Sequence, residues 1–133
     1  NVQLAYLPQN IIFNNEELTV LECFREDIEI LEGKAREYLS KYMFFGETVF
    51  KKVKGLSGGE RTRLKLSKLL YHEANLLILD EPTNHLDIDS IETLEDTLDE
   101  FKGTIFFISH DRYFINKMSN RIVALEGGKF NSY

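Results

Sequence analysis

The run from Leu76 to Pro82, LLILDEP, constrains this chain most. Unbroken apolar residues closed by a proline read as a strand buried inside a sheet. Two carboxylates, Asp80 and Glu81, stand at its C-terminal tip. A carboxylate fixed on a rigid element can hold a metal ion, and a second one beside it can take a proton from water. Those are the needs of a Mg-dependent nucleotide triphosphatase. Yet the phosphate-cradling loop G-x-x-x-x-G-K-S/T occurs nowhere in the 133 residues.

A second all-apolar run, Thr104 to Ser109 (TIFFIS), follows a helix pattern of Ile91, Leu94, Leu98 and Phe101. Asp89 with Glu92 is expected to cap that helix, and Gly103 to end it. A short helix over Tyr113 to Met118 and a strand over Ile122 to Leu125 come next, turned by Gly127-Gly128. Strands alternating with helices predict a parallel sheet covered on both faces. Near the start, Val2 to Leu7 reads as a strand closed by Pro8-Gln9. Thr19 with Glu22 is a capping box that opens a helix, and Ala35, Leu39, Tyr42 and Met43 keep helical spacing in a second, ending near Gly46. A short basic connector, Val49 to Gly55, leads to a third helix opened by Gly58-Gly59. There Leu64, Leu66, Leu69 and Leu70 are expected inward, and Arg61, Arg63, Lys65 and Lys68 largely outward. The expected organisation is a core strand over residues 1–15, a helical subdomain over 16–72 and an α/β core over 73–133.

Composition is that of a soluble globular protein, 43% hydrophobic and 29% charged. A net charge of −6 gives no general attraction to nucleic acid. The single cysteine, Cys23, cannot form an internal disulfide and reads as a small packed side chain in a reducing compartment. No run approaches the roughly 18 apolar residues of a membrane span. The chain opens Asn1-Val2-Gln3, which reads as a start inside a strand of a longer protein.

Three further motifs carry chemistry. Leu56 to Glu60, LSGGE, puts a glycine pair and a hydroxyl at a helix N-terminus, where backbone N–H groups favour an anion. A plain serine cap explains the same residues equally well. His110, in Ser109-His110-Asp111, follows the second apolar strand. Parallel neighbours end at one sheet edge, so His110 is expected near Asp80 and Glu81, although taken singly it reads more readily as a solvent-facing loop histidine. Gln9 ends the first strand, and its amide could reach the same metal and water, or simply cap the strand.

In this order these residues resemble the ATP-binding cassette (ABC) ATPases over essentially the whole chain. Gln9 looks like the Q-loop glutamine, residues 56–60 like the signature, and 76–81 like the Walker B strand with its catalytic glutamate. Leu86-Asp87 look like the D-loop and His110 like the switch histidine. The stretch EPTNHLDID is similar to the ABC-F proteins, soluble twin-cassette ATPases that act on the ribosome in translation or antibiotic resistance. SHDRYF and the intact LSGGE look more like the second cassette than the first. The resemblance implies a partial P-loop NTPase fold of class α/β, with a parallel core sheet and an inserted helical subdomain. It implies ATP and Mg2+ as ligands, with Asp80 and Gln9 at the metal and Glu81 and His110 catalytic. Ser57, Gly58 and Gly59 would serve the nucleotide of a second cassette, in the same polypeptide or a homodimer, while Gln9, Asp80, Glu81 and His110 serve their own, and Asp87 counts among the nucleotide-binding residues. A ribosomal partner, a cytoplasmic location and no membrane insertion follow from the same likeness.

The Walker A loop and its strand are expected before residue 1, so the chain alone should bind nucleotide very weakly. In the family that strand lies between those resembling 104–109 and 122–125, so both are expected to show unpaired edges, leaving the chain either marginally stable or self-associating through that gap. Two other functions compete. One is a transporter's nucleotide-binding subunit, against which EPTNHLDID speaks. The other is a binding module that has lost turnover, against which Glu81 and His110 speak.

Overall fold

The structure, a computed structural model, describes residues 3–82, 86–109, 122–126 and 129–132. Strand β1 (Leu4–Leu7) is followed by helices α1 (Val20–Phe24), α2 (Glu32–Ser40) and α3 (Gly58–Tyr71). Strand β2 (Leu76–Asp80), helix α4 (Ile88–Glu100) and strands β3 (Thr104–Ile108), β4 (Ile122–Glu126) and β5 (Lys129–Ser132) complete it. The strands form one five-stranded sheet in the order β1-β2-β3-β4-β5. The first four run parallel, and β5 returns antiparallel to β4. The expected helix over 113–118 and the Gly127-Gly128 turn lie outside the described residues.

Local sequence sets the helix starts. Thr19 caps α1 and Ser57 caps α3, each in a reciprocal capping box with the glutamate three residues on. α2 ends at Ser40, earlier than its apolar spacing predicts, because Met43 (φ 70) and Gly46 (φ 52) turn the chain left-handed. Val49 and Val53 then sit in two 3-10 turns and are buried.

Register decides which apolar residues reach the core. Ala5 and Leu7 lie beside Leu77 and Leu79, and Leu77 beside Ile105. All five are buried and join Leu64, Leu66, Leu94 and Leu98 in one hydrophobic cluster. Truncating Leu77 or Leu79 to alanine would cost about 2–5 kcal/mol. The opposite face of the same strands is covered less, with Leu4 57% and Tyr6 45% exposed. The expected two-sided burial therefore holds for one face of the described strands. Cys23 is buried, as its apolar setting implies.

Two further expectations are overturned. β3 pairs directly with β4, Ile105 beside Ile122 through Ile108 beside Leu125, so the unpaired edges expected there are absent. An uncharged apolar strand left open would expose its N–H and C=O groups, and β4 satisfies them. Self-association through that gap loses its basis. The basic side chains of α3 are also not largely outward. Arg63 is 8% exposed, and the side chain of Lys68 is 11% exposed, bonded to the Cys23 carbonyl.

Candidate functional site

Parallel pairing brings the C-terminal ends of β1, β2 and β3 to one edge. Leu7 lies beside Leu79, and Asp80 beside Ile108. Gln9 therefore leaves β1 at the edge where β2 delivers Asp80 and Glu81. It is exposed. Asp80 and Glu81 are half-buried. Ser109, which follows β3, is buried. His110 lies outside the described residues, so its placement at this edge remains an expectation from sequence.

Glu81 adopts a left-handed backbone, φ 47, and its N–H donates to the Ile108 carbonyl at 2.6 Å. A non-glycine residue there carries local strain, which neighbouring strands must hold. Asp80 has a partner that sequence reading missed. The Tyr6 hydroxyl donates to Asp80 Oδ2 at 3.1 Å. That bond to the carboxylate pushes the Tyr6 phenol above its ordinary pKa, with burial and the Asp80 charge adding to it. Period-two alternation was the available signal: Tyr6 lies beside Ile78, one face-step before Asp80.

Among the described residues no three His, Cys, Asp or Glu side chains cluster as a stand-alone metal site. A lone aspartate at a sheet edge still suits Mg2+, which takes one or two carboxylates and fills its remaining positions with water and phosphate oxygens. Gln9 and Asp80 are both oxygen donors of the hard type Mg2+ selects.

A second arrangement lies where α3 and α4 begin. Ser57 Oγ accepts from the Glu60 N–H, and Glu60 Oε1 accepts from the Ser57 N–H at 2.9 Å. Burial pushes the Glu60 carboxyl up, but the Ser57 N–H and Lys51 outweigh it and leave it lowered. The serine-cap explanation of LSGGE is thus realised, with Ser57 and Gly58 exposed and Gly59 buried. Asp87, expected in a D-loop, is the N-cap of α4 in place of Asp89, its Oδ1 accepting from the Ser90 N–H at 2.8 Å. The hydroxyl and N–H of Ser90 together hold the Asp87 carboxyl below the ordinary aspartate range. The Ser90 hydroxyl itself is buried and makes no hydrogen bond within geometric limits. α4 starts earlier than expected because aspartate caps wherever the chain first turns helical, and Asp87 precedes Asp89.

Arg61 joins α3 to the segment after Gln9. Its guanidinium donates to both Glu16 carboxylate oxygens at 3.0 and 2.7 Å and to the Ile11 carbonyl at 3.0 Å. It also stacks over Phe13 at 5.2 Å.

A sequence profile described as ABC transporter matches residues 1–84. The chain belongs to the ATP-binding cassette family. It is 44% identical to YdiF of Bacillus subtilis over 134 residues, covering 100% of this chain and 21% of that protein. It is 37% identical to the ATP-binding protein Uup of Escherichia coli, covering 96% of this chain and 21% of that protein. It is 45% identical to ABC transporter F family member 5 of Arabidopsis thaliana over 86% of this chain and 17% of that protein. The cassette segment thus spans about a fifth of the curated relatives' length. A solved dimeric ATP-binding cassette, in a post-hydrolysis state with ADP and Pi, superposes with a TM-score of 0.72 at 20% identity. That match covers 97% of this chain and 61% of that one, and it confirms the α/β cassette fold. No helix among the described residues is long and apolar enough to cross a membrane.

Proposed function

We propose that this chain supplies one part of an ATP-hydrolysing cassette, with Asp80 and Glu81 as its chemical centre. The observation that carries this is their place at the shared C-terminal edge of β1, β2 and β3, beside the chain exit at Gln9. Ligands of open α/β sheets bind at that edge. In this reading residues 16–72 form the helical subdomain, and 1–15 with 73–133 the core.

The roles follow from the chemistry of each group. Asp80, oriented by Tyr6, and Gln9 would hold Mg2+, which when bound offsets the charge of the phosphates. Glu81 takes the proton of the attacking water, and His110 holds that water or donates to the γ-phosphate. Ser57, Gly58 and Gly59 with Asp87 face a second cassette and complete its nucleotide site. Without a phosphate-cradling loop, the 133 residues alone bind Mg-ATP weakly, because several backbone donors and a lysine are then missing.

The likeness of residues 81–89 to ABC-F proteins, and the similarity to an F family member, support a cytoplasmic protein acting on the ribosome in translation or antibiotic resistance. The test uses a protein of the relatives' length that contains this sequence. Glu81→Gln should retain ATP binding, nearly abolish turnover and co-sediment with ribosomes in ATP. Normal hydrolysis by that variant would remove Glu81 as the base, and no ATP-dependent co-sedimentation would remove the ribosomal target.

A further inference from the structure

Helix α4 carries charge of one sign only. Carboxylates recur along it from Asp89 to Glu100, and it holds no lysine, arginine or histidine. Asp96, Asp99 and Glu100 crowd its C-terminal turns, the end where the helix dipole is itself negative and a cation is favoured.

A groove runs beside that end. One part, about 480 Å³, lies between α4 and the turn that follows α2, and a second, about 200 Å³, continues it to Lys102. Both are lined by Tyr42, Thr97 and Glu100, so they form one groove. It follows α4 from Thr93 to Glu100, about 10 Å at the rise of a helix. Its apolar wall is Met43, an adaptable side chain, and Phe45, a ring left 59% exposed. Its acidic wall is Asp96 and Glu100, both exposed. Among the described residues neither carboxylate is in a salt bridge. Lys41, at the rim, lies instead over the Tyr38 ring at 5.7 Å.

We propose that this groove docks a basic segment of a partner protein, with lysine or arginine against Asp96 and Glu100 and an apolar side chain between Met43 and Phe45. Charge sets the class of partner. The phosphates of a nucleic acid would be repelled, and a second copy of this chain brings a net charge of −6. The shape asks for a chain, because a lone small cation at the carboxylates would leave Phe45 uncovered. The place is separate from the nucleotide edge. β2 and β3 are parallel, so α4 carries the chain from the Asp80 edge back to the opposite one, where Thr104 opens β3 beside Leu76. Docking there leaves Gln9, Asp80 and Glu81 accessible.

Fluorescence anisotropy with a labelled peptide of lysines interleaved with leucines tests this, on a protein of the relatives' length that contains this sequence. Asp96→Asn combined with Glu100→Gln should weaken binding roughly tenfold, and so should Phe45→Ser alone. Glu29→Gln combined with Glu37→Gln removes the same charge from exposed positions outside the groove and should weaken it less than about twofold. The Asp96→Asn, Glu100→Gln variant should melt no lower than the parent, since it takes negative charge from the negative end of a helix, so unfolding does not account for its loss. Equal losses for the two carboxylate pairs would overturn the proposal, because the attraction would then be to net charge alone. Phe45→Ser binding as tightly as the parent, or displacement of the peptide by an equal concentration of spermidine, would overturn it in favour of a small cation. Self-association of the parent that Asp96→Asn with Glu100→Gln abolishes would overturn it in favour of a second copy.

Discussion

The N–H of Glu81 donates to the carbonyl of Ile108 at 2.6 Å while Glu81 holds φ at 47. The end of β3 thereby pins a left-handed residue next to the last residue of β2. The carboxylate proposed above to act on water is thereby carried on a fixed backbone, at a local conformational cost.

That cost predicts an asymmetry among variants at residue 81. Glu81→Gln should melt within about 0.5 kcal/mol of the parent, since the backbone is unchanged. Glu81→Val should lose at least about 1 kcal/mol, because a β-branched side chain resists positive φ. Glu81→Gly should be no less stable than the parent. In a protein of the relatives' length, Glu81→Gln should lower kcat about 100-fold or more. Chemical denaturation of the chain and steady-state kinetics read the two effects separately.

Tyr6→Phe removes one hydroxyl from Asp80 and leaves the ring. Groups that orient a metal-binding carboxylate typically matter about 10-fold or more for metal affinity. Mn2+ binding to the ATP-loaded protein, followed by electron paramagnetic resonance, should weaken by roughly that factor. Tm should not move, because the bond lies at an exposed position. Unchanged Mn2+ affinity would leave Tyr6 without influence on Asp80.

Arg61→Ala should destabilise the chain by about 1–2 kcal/mol. Glu16 is 40% exposed and Arg61 20%, so solvent screening keeps the loss below that of a buried pair. Arg61→Lys should not restore it, since a point charge cannot serve both Glu16 oxygens and the Ile11 carbonyl. Hydrogen exchange over residues 11–16 should rise with the loss and show that Arg61 ties down the segment after Gln9.

The two capping carboxylates give a pH dependence of definite sign. Asp87 and Glu60 are both lowered in the folded chain. A lowered carboxyl contributes stability that is fully present above its unfolded pKa, about 4. That stability is lost as pH falls through the folded pKa. Melting should be flat from about pH 7 to 5 on this account and fall below about pH 4. Asp87→Asn keeps a cap but cannot titrate, so its acid fall should be shallower. An acid limb identical to the parent's would show that Asp87 is not among the groups responsible.

Much of the fold was legible because its causes are local. The Thr19–Glu22 and Ser57–Glu60 boxes span single turns, and β2 is its unbroken apolar run closed by Asp80. Where a competing local signal existed, the reading slipped, as with Asp89 expected as the α4 cap that Asp87 provides. The candidate site was legible at Asp80 and Glu81, since a strand end is a sequence feature. Tyr6 was not, because its hydroxyl reaches Asp80 only after β1 and β2 pair.

By itself the sequence determined the motifs, their order and most element starts, all set by side chains within a few residues of one another. Only the tertiary structure decided that Leu77 and Leu79 face inward, that β4 completes the edge of β3, and that Arg63 is buried. It alone left Gly58 exposed and Gly59 buried. These outcomes depend on register and on close packing between segments far apart in the chain, and no local pattern of residue types encodes either.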